Sequence, residues 1–151
     1  MLVQNKSGRK LIKYLNISEN NIQNYNNLTG AYAILTISGK FLIGYNKWRK
    51  QWKFPAGRIE KSETARQAAV RELFEETHQS IENLKFRGLF EVEDANKIIK
   101  YQAVYVGVKN TLLPFIHKNN DEFEKIYLWD MKENIGYFDE CDKKIVEILF
   151  Y

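Results

Sequence analysis

Cysteine is almost absent from the sequence. Cys141 is the single cysteine among 151 residues, which excludes an internal disulfide framework and a multi-cysteine zinc site. A lone cysteine agrees with a reducing compartment, and we interpret Cys141 as a packing residue. The apolar content is ordinary for a globular protein and the charged residues are mixed along the chain, so disordered and fibrous classes are not favoured.

Long apolar runs are missing as well. Residues 1–15 contain no apolar stretch long enough for the core of a signal peptide, and no later window approaches a membrane span. We therefore predict a cytoplasmic protein with no membrane partner. The sequence also lacks repeats and linkers, and its length fits one domain over residues 1–151.

Neither charge sign is in large excess. The formal net charge of +4 favours a polyanionic ligand such as a phosphate. It is far from the basic stripe of a dedicated nucleic-acid binder, so this class of protein is not indicated.

Short β-prone runs and two helical patterns account for most of the chain. We predict an irregular entry segment over about residues 1–28, because the asparagine-rich Ser18–Asn27 disfavours regular structure. Asn46–Lys53 reads as a loop that leads into a Pro-Ala-Gly turn. The predicted strands and helices are Ala31–Ser38, Lys40–Tyr45, Thr64–Thr77 (helix), Leu84–Val92, Ile98–Val108, Ile126–Trp129 and Asp139–Phe150 (helix). This order indicates an α/β domain with a mixed sheet, either α+β or a layered α/β/α arrangement.

The first helical pattern carries a cluster of glutamates. Thr64 and Gln67 form a capping-box pattern, so the helix begins near Ala65. At 3.6 residues per turn, Glu72, Glu75 and Glu76 share one sector, next to an apolar sector that can pack on the sheet. Like charges at this spacing repel one another unless a cation lies among them, and hard oxygen ligands suit Mg²⁺ or Mn²⁺. The spacing alone leaves two readings open, a metal site and a solvated acidic face.

A longer motif surrounds these glutamates. Gly57-Arg-Ile-Glu-Lys-Ser-Glu63, seven further residues and Arg71-Glu-Leu-Phe-Glu-Glu76 together resemble the signature box of the Nudix hydrolases, of the MutT-like, bacterial single-domain type. The resemblance implies the α/β/α Nudix sandwich with a mixed β-sheet. It also implies metal-ligand roles for Glu72, Glu75 and Glu76, and supporting roles for Gly57, Glu63 and Arg71. A further family glutamate, a metal ligand or general base, falls on Glu122 or Glu124, of which we prefer Glu122.

Two positions depart from the family pattern. His78 stands where the family has a glycine, and Gln79 replaces the aliphatic residue that follows it. The glycine permits a left-handed helix end, which a histidine adopts only at some cost. The departure therefore concerns the local turn, while the glutamates are intact. His78 as a catalytic base is the alternative to a helix-capping residue.

The resemblance implies metal-dependent hydrolysis of a diphosphate linkage in a nucleotide-type substrate. Glu72, Glu75 and Glu122 are the expected catalytic residues, with Mg²⁺ or Mn²⁺ as the cofactor. We expect a nucleoside triphosphate, including an oxidised deoxynucleotide, or a triphosphorylated RNA 5′ end as the substrate. The alternative is a non-catalytic nucleotide- or RNA-binding module with the same fold.

Basic and aromatic residues alternate just before the signature box. In Lys47–Phe54, Trp48 and Trp52 could stack on a base while Arg49 meets phosphate, which would form a nucleotide clamp. In the alternative reading, both tryptophans pack on the sheet. We assign Tyr105 and Trp129 to the core.

Overall fold

The protein is built around one mixed β-sheet. The computed structural model describes residues 1–151. The strands are β1 (Val3–Gln4), β2 (Lys10–Leu15), β3 (Leu28–Ile37), β4 (Lys40–Asn46), β5 (Gln51–Lys53), β6 (Ala56–Arg58), β7 (Lys85–Glu93), β8 (Ile99–Lys109) and β9 (Phe123–Trp129). The helices are a 3₁₀-helix (Glu19–Asn24), α1 (Ala65–Thr77) and α2 (Glu140–Phe150). The sheet order is β1-β2-β7-β8-β3-β4-β5, with β6 paired to β3 and β9 paired to β4. Only β3 and β8 run parallel, so the predicted mixed sheet is confirmed.

The two α-helices cover opposite faces of the sheet. Alternate side chains of β3 point to the two faces, as the period of two of a strand requires. Ala33 and Leu35 belong to the core under α1, whereas Tyr32 and Ile34 belong to the core under α2. The layers are therefore α/β/α, as predicted. Neither helix has the length and apolar character that a membrane crossing requires.

The start of α1 follows its sequence signal. The Thr64 hydroxyl accepts from the Gln67 amide at 3.1 Å, and the Gln67 side chain accepts from the Thr64 amide at 2.9 Å. These bonds satisfy two backbone donors at the helix start. The helix ends at His78, whose φ of 63° is left-handed.

The prediction of an irregular segment over residues 1–28 is wrong. β2 pairs with β7, and its Leu11 is fully buried in the core under α2. In the asparagine-rich stretch, Ser18 caps the 3₁₀-helix and Ile22 is buried. Burial of these few apolar side chains outweighs the weak local preference of the surrounding polar residues.

The loop predicted over Asn46–Lys53 is only partly correct. Its second half forms β5, which pairs with β4 through Tyr45↔Trp52. Cys141, Tyr105 and Trp129 are all buried, as expected for core residues.

Candidate active site

The glutamate-bearing half of α1 lies directly against β6. β6 pairs with β3 and approaches the helix closely at Gly57. A Cβ atom added to Gly57 would lie 2.1 Å from Cδ of Glu72, so a side chain there would displace this carboxyl group. The absence of a side chain at Gly57 thus leaves room for the Glu72 carboxyl group, and the supporting role of Gly57 stays a prediction.

Arg71 is the centre of a carboxylate network on α1. It donates to both oxygens of Glu63, at 2.7 and 2.9 Å, and to the Arg58 carbonyl at 2.9 Å. Its Nη1 also donates to Glu72 at 2.7 Å and to Glu75 at 3.2 Å. The bonds from Arg71 lower the pKa of Glu63, whereas burial raises the pKa of Glu72 against the opposing effect of Arg71. Arg71 and Glu63 therefore tie the loop before α1 to the helix and orient Glu72.

Glu76 has one unsatisfied carboxylate oxygen. Its Oε1 accepts from the Ala56 amide at 2.8 Å, while Oε2 is buried and has no hydrogen-bond partner. Burial raises the pKa of Glu76 well above its ordinary value; the positive charge of Lys53 opposes this rise and the nearby Glu122 adds to it. Because most buried polar atoms are paired, such an oxygen marks a place where a ligand is expected.

Glu122 lies close to Glu76, whereas Glu124 faces solvent. Glu122 Oε1 accepts from Asn46 Nδ2 at 3.1 Å and lies 3.9 Å from Lys53 Nζ. The register of β9 against β4 shifts between Phe123 and Lys125, and Glu124, between them, is exposed. The preference for Glu122 over Glu124 stays a prediction.

The helix glutamates do not form a converged group of three metal-ligating side chains in this arrangement. Arg71 draws Glu72 and Glu75 to one side, whereas Glu76 points to β6. The side chain of Glu75 is 57% exposed, and exposed ion pairs contribute only about 0–1 kcal/mol, so a cation could displace Arg71 from it. The unpaired Glu76 oxygen and an all-carboxylate donor set fit a hard divalent cation.

A cleft of about 600 Å³ adjoins these carboxylates. Its walls carry more cations than anions, and the charged residues among them are Arg9, Arg49, Lys53, Arg58, Lys100, Asp94 and Glu122. Lys100 is paired with Asp94 at 3.1 Å. The remaining positive charge makes the cleft attractive to a phosphorylated ligand.

Comparison with known proteins agrees with this geometry. The model of the NUDIX domain family matches residues 27–147, which include the whole glutamate motif, the sheet strands from β3 onwards and most of α2. The chain belongs to the NUDIX domain family.

Several relatives of the NUDIX domain are similar to this chain. "Putative 8-oxo-dGTP diphosphatase YtkD" of Bacillus subtilis is 28% identical over 108 residues, which span 70% of this chain and 65% of that protein. The crystal structure of the B. subtilis pyrophosphohydrolase BsRppH (E68A mutant) superposes with a TM-score of 0.72 at 18% identity, covering 97% of this chain and 90% of that one. A bifunctional NMN adenylyltransferase/ADP ribose pyrophosphatase from Francisella tularensis, complexed with AMP and a manganese ion, has a TM-score of 0.64 at 23% identity, covering 82% and 41%. The two structural likenesses establish the shared fold.

Part of the cleft comes from outside the NUDIX match. Arg9 precedes the matched region, yet it lines the cleft together with Lys53 and Lys100. None of these three residues was singled out from the sequence. Lys53 lies in the basic and aromatic segment that was noted, but no sequence signal pointed to Arg9 or Lys100.

The predicted clamp before the NUDIX motif is only partly present. Trp52 is 8% exposed, packs against Tyr45, and donates from Nε1 to the Ile135 carbonyl at 2.8 Å. Its prediction as a base-stacking residue is therefore wrong, because the ring is buried and packs against other side chains of the protein. Trp48 is 61% exposed and Arg49 lines the cleft, so these two residues remain candidates for ligand contact.

The departure from the NUDIX pattern at His78 and Gln79 has a structural explanation. The His78 ring lies 4.8 Å from the Phe115 ring. Buried Gln79 donates to the Leu113 carbonyl and accepts from the Leu113 amide, both at 2.8 Å. The two residues thus fasten the segment between β8 and β9 to the end of α1.

Proposed function

We propose that the protein is a hydrolase that cleaves a diphosphate linkage in a nucleotide substrate with the help of a divalent cation. The observation that carries this proposal is the buried, unpaired Glu76 oxygen, which lies near Glu122 at the edge of a cationic cleft. A buried carboxylate oxygen without a hydrogen-bond partner favours a cationic ligand, and the cleft offers space for a phosphate chain next to it.

Glu72, Glu75 and Glu76 would hold the cation, Mg²⁺ or Mn²⁺. When bound, such an ion neutralises charge on phosphate oxygens and makes water more acidic. Arg71 and Gly57 support this set, since the guanidinium orients Glu72 and the missing side chain leaves room for its carboxylate.

Glu122 would accept the proton of the attacking water. Its Oε1 is fixed by Asn46, so its other oxygen remains available. Lys53 Nζ lies 3.9 Å from the same carboxylate and helps to hold it in place. We therefore assign Glu72, Glu75 and Glu122 as the catalytic set.

The proposed substrate is a nucleoside triphosphate, including an oxidised deoxynucleotide, or a triphosphorylated RNA 5′ end. The relatives described as a putative 8-oxo-dGTP diphosphatase and as a pyrophosphohydrolase support this class. The cationic cleft, with Arg49 on its wall, suits a ligand that carries several phosphates. Nucleotides of this kind imply a cytoplasmic location, which the lone reduced thiol of Cys141 also favours.

A non-catalytic binding module is the second candidate. It is favoured by one observation, the ion pairs of Arg71 with Glu72 and Glu75, which satisfy these carboxylates without a cation. In this reading the acidic face stabilises the fold and the cleft only binds its ligand.

A single assay separates the two candidates. We would measure release of phosphate and pyrophosphate from nucleoside triphosphates, 8-oxo-dGTP and triphosphorylated RNA, with Mg²⁺ and with EDTA. We expect turnover only with Mg²⁺, and Glu76→Gln should lose most of it while remaining folded, because the amide keeps the bond from Ala56 and removes the buried charge. Binding of these ligands without turnover would favour the module instead.

A further inference from the structure

We propose that Arg9 binds a phosphate group of the substrate and is held in position for this role by Tyr32 and Asp142. The proposal rests on the proposed function for the class of ligand, a nucleoside polyphosphate. It concerns a residue that lines the cleft and lies before the region matched by the NUDIX domain family.

The turn that carries Arg9 is firmly anchored. The Asn5 side chain accepts from the Arg9 amide at 2.9 Å and from the Ser7 hydroxyl at the same distance. Its amide group in turn donates to Asp139, the capping residue of α2, at 3.0 Å. Arg9 therefore projects from a fixed turn rather than from a loose chain end.

The guanidinium of Arg9 forms few bonds within the protein. Its single side-chain hydrogen bond runs from Nη1 to the Tyr32 hydroxyl at 3.2 Å, and it forms no direct ion pair with a carboxylate. The Tyr32 hydroxyl donates onward to Asp142 Oδ1 at 2.8 Å, and Asp142 Oδ2 accepts from the Phe54 amide at 2.9 Å. The hydroxyl is thus oriented so that it accepts from Arg9, and Asp142 balances the charge of Arg9 only at a distance.

An anion is the ligand that this arrangement suits best. A guanidinium has five N–H donors, and a partly buried one is stabilised by an anionic partner. Arg49 and Arg58 line the same cleft without an ion pair of their own, so a neutral ligand would leave their positive charges and that of Arg9 together without compensation. The planar fork of arginine matches two oxygens of a phosphate, which lysine cannot do.

The test is a binding comparison between two charge-removing variants of the same hairpin. Arg9→Gln removes the cation in the cleft, whereas Lys13→Gln removes an exposed cation on β2 that lies outside it. The probes are α,β-methylene-GTP with Mg²⁺ and guanosine, measured by calorimetry. We expect Arg9→Gln to weaken binding of the nucleotide about tenfold or more and to leave guanosine unchanged, and Lys13→Gln to change neither by more than about twofold.

Three results would overturn the proposal. The first is that Arg9→Gln binds the nucleotide within about twofold of wild type. The second is that Arg9→Gln loses as much affinity for guanosine as for the nucleotide. The third is that Lys13→Gln loses as much affinity for the nucleotide as Arg9→Gln does. If Arg9→Gln does not fold, Arg9→Lys replaces it; we expect that variant to bind the nucleotide several-fold more weakly, and unchanged affinity would contradict the two-oxygen contact.

The role of Tyr32 is tested by a double-mutant cycle. We expect Tyr32→Phe to weaken nucleotide binding in the wild-type background and to have no further effect in Arg9→Gln, because it acts through Arg9. An equal effect in both backgrounds would contradict this. Absence of hydrolysis by the wild-type protein would reject the proposed function while leaving these binding results interpretable, so the two failures are distinguishable.

Discussion

Glu122 and Glu124 are two positions apart but have different surroundings. The first is bonded to Asn46 at the edge of the cleft, and the second is exposed at an irregularity of the sheet. At the scale of the residue, glutamate therefore has a proposed chemical role at position 122 and none at position 124.

These two glutamates provide a matched pair for the assignment of the base. We expect Glu122→Gln to lower kcat by about a hundredfold or more, because the amide cannot accept a proton from water. Glu124→Gln should stay within about twofold of wild type. Steady-state kinetics on both variants is the measurement, and equal losses, or a larger loss in Glu124→Gln, would contradict the assignment.

Gln79 stands where an aliphatic residue was expected, and its side chain forms two hydrogen bonds with the backbone of Leu113. Gln79→Leu removes both bonds to Leu113, and we expect a loss of about 1–2 kcal/mol in the free energy of unfolding. The neighbouring variant His78→Gly serves as the comparison. Glycine relieves the cost of the left-handed conformation but loses the ring contact with Phe115. The free energy of unfolding should therefore change by no more than about 1 kcal/mol. Urea denaturation measures both, and a Gln79→Leu protein of wild-type stability would show that the bonds contribute nothing.

At the scale of elements, α2 meets the sheet through a buried carboxyl group. Burial, with a contribution from Asp139, raises the pKa of Asp142 from 3.8 to about 6, although Lys53 opposes the rise. Between about pH 4 and pH 6 the folded protein thus binds more protons at this group than the unfolded chain does. The stability contributed by Asp142 is complete below this window and is lost as the pH rises through it, by about 3 kcal/mol at most.

Asp142→Asn isolates this contribution. Asparagine does not titrate, so the variant lacks this pH dependence. The free energy of unfolding of wild type, relative to that of the variant, should therefore decrease as the pH rises from about 4 to about 6. The measurement is a series of denaturation curves on both proteins at constant ionic strength. A difference that is flat or rises over this window would contradict the buried, protonatable state of Asp142.

The elements that the sequence predicts well are those with a local signal. Thr64 and Gln67 mark the start of α1, and Gly39 marks the hairpin between β3 and β4. β2 was missed because it is defined by its pairing with β7, almost eighty positions away, which no local pattern encodes. The glutamate motif likewise predicted the metal-site candidates, whereas Arg9 reaches the cleft only through contacts that the fold creates.

Trp52 shows how a local pattern misleads. An alternation of basic and aromatic residues is typical of a nucleic-acid contact, but it is equally the alternation of a strand with one buried face. In this chain the segment ends in β5, where Gln51 and Trp52 are both buried, while Arg49, in the preceding turn, lines the cleft.

At the scale of the whole molecule, cation binding should stabilise the native state. A ligand that binds only the folded protein at a hundredfold excess over its Kd adds about 2.7 kcal/mol to the free energy of unfolding. We expect Mg²⁺ to raise the Tm of wild type and of Glu124→Gln, and to have little effect on Glu76→Gln, which lacks the charge of the buried ligand. An equal rise in all three proteins would indicate a general salt effect in place of a site.

The anchoring of the Arg9 turn on α2 has a consequence for biosynthesis. Asn5 and Asp139 are 134 positions apart, and Tyr32 and Asp142 are 110 positions apart. Contacts with such long sequence separation cannot form while the later partner is still inside the ribosome, and they close large loops, which makes them late steps of folding. A nascent chain that already contains every glutamate of the motif therefore still lacks the contacts that hold Arg9 in position. We expect the protein to gain full affinity for its ligand only after α2 has been synthesised and has docked on the sheet.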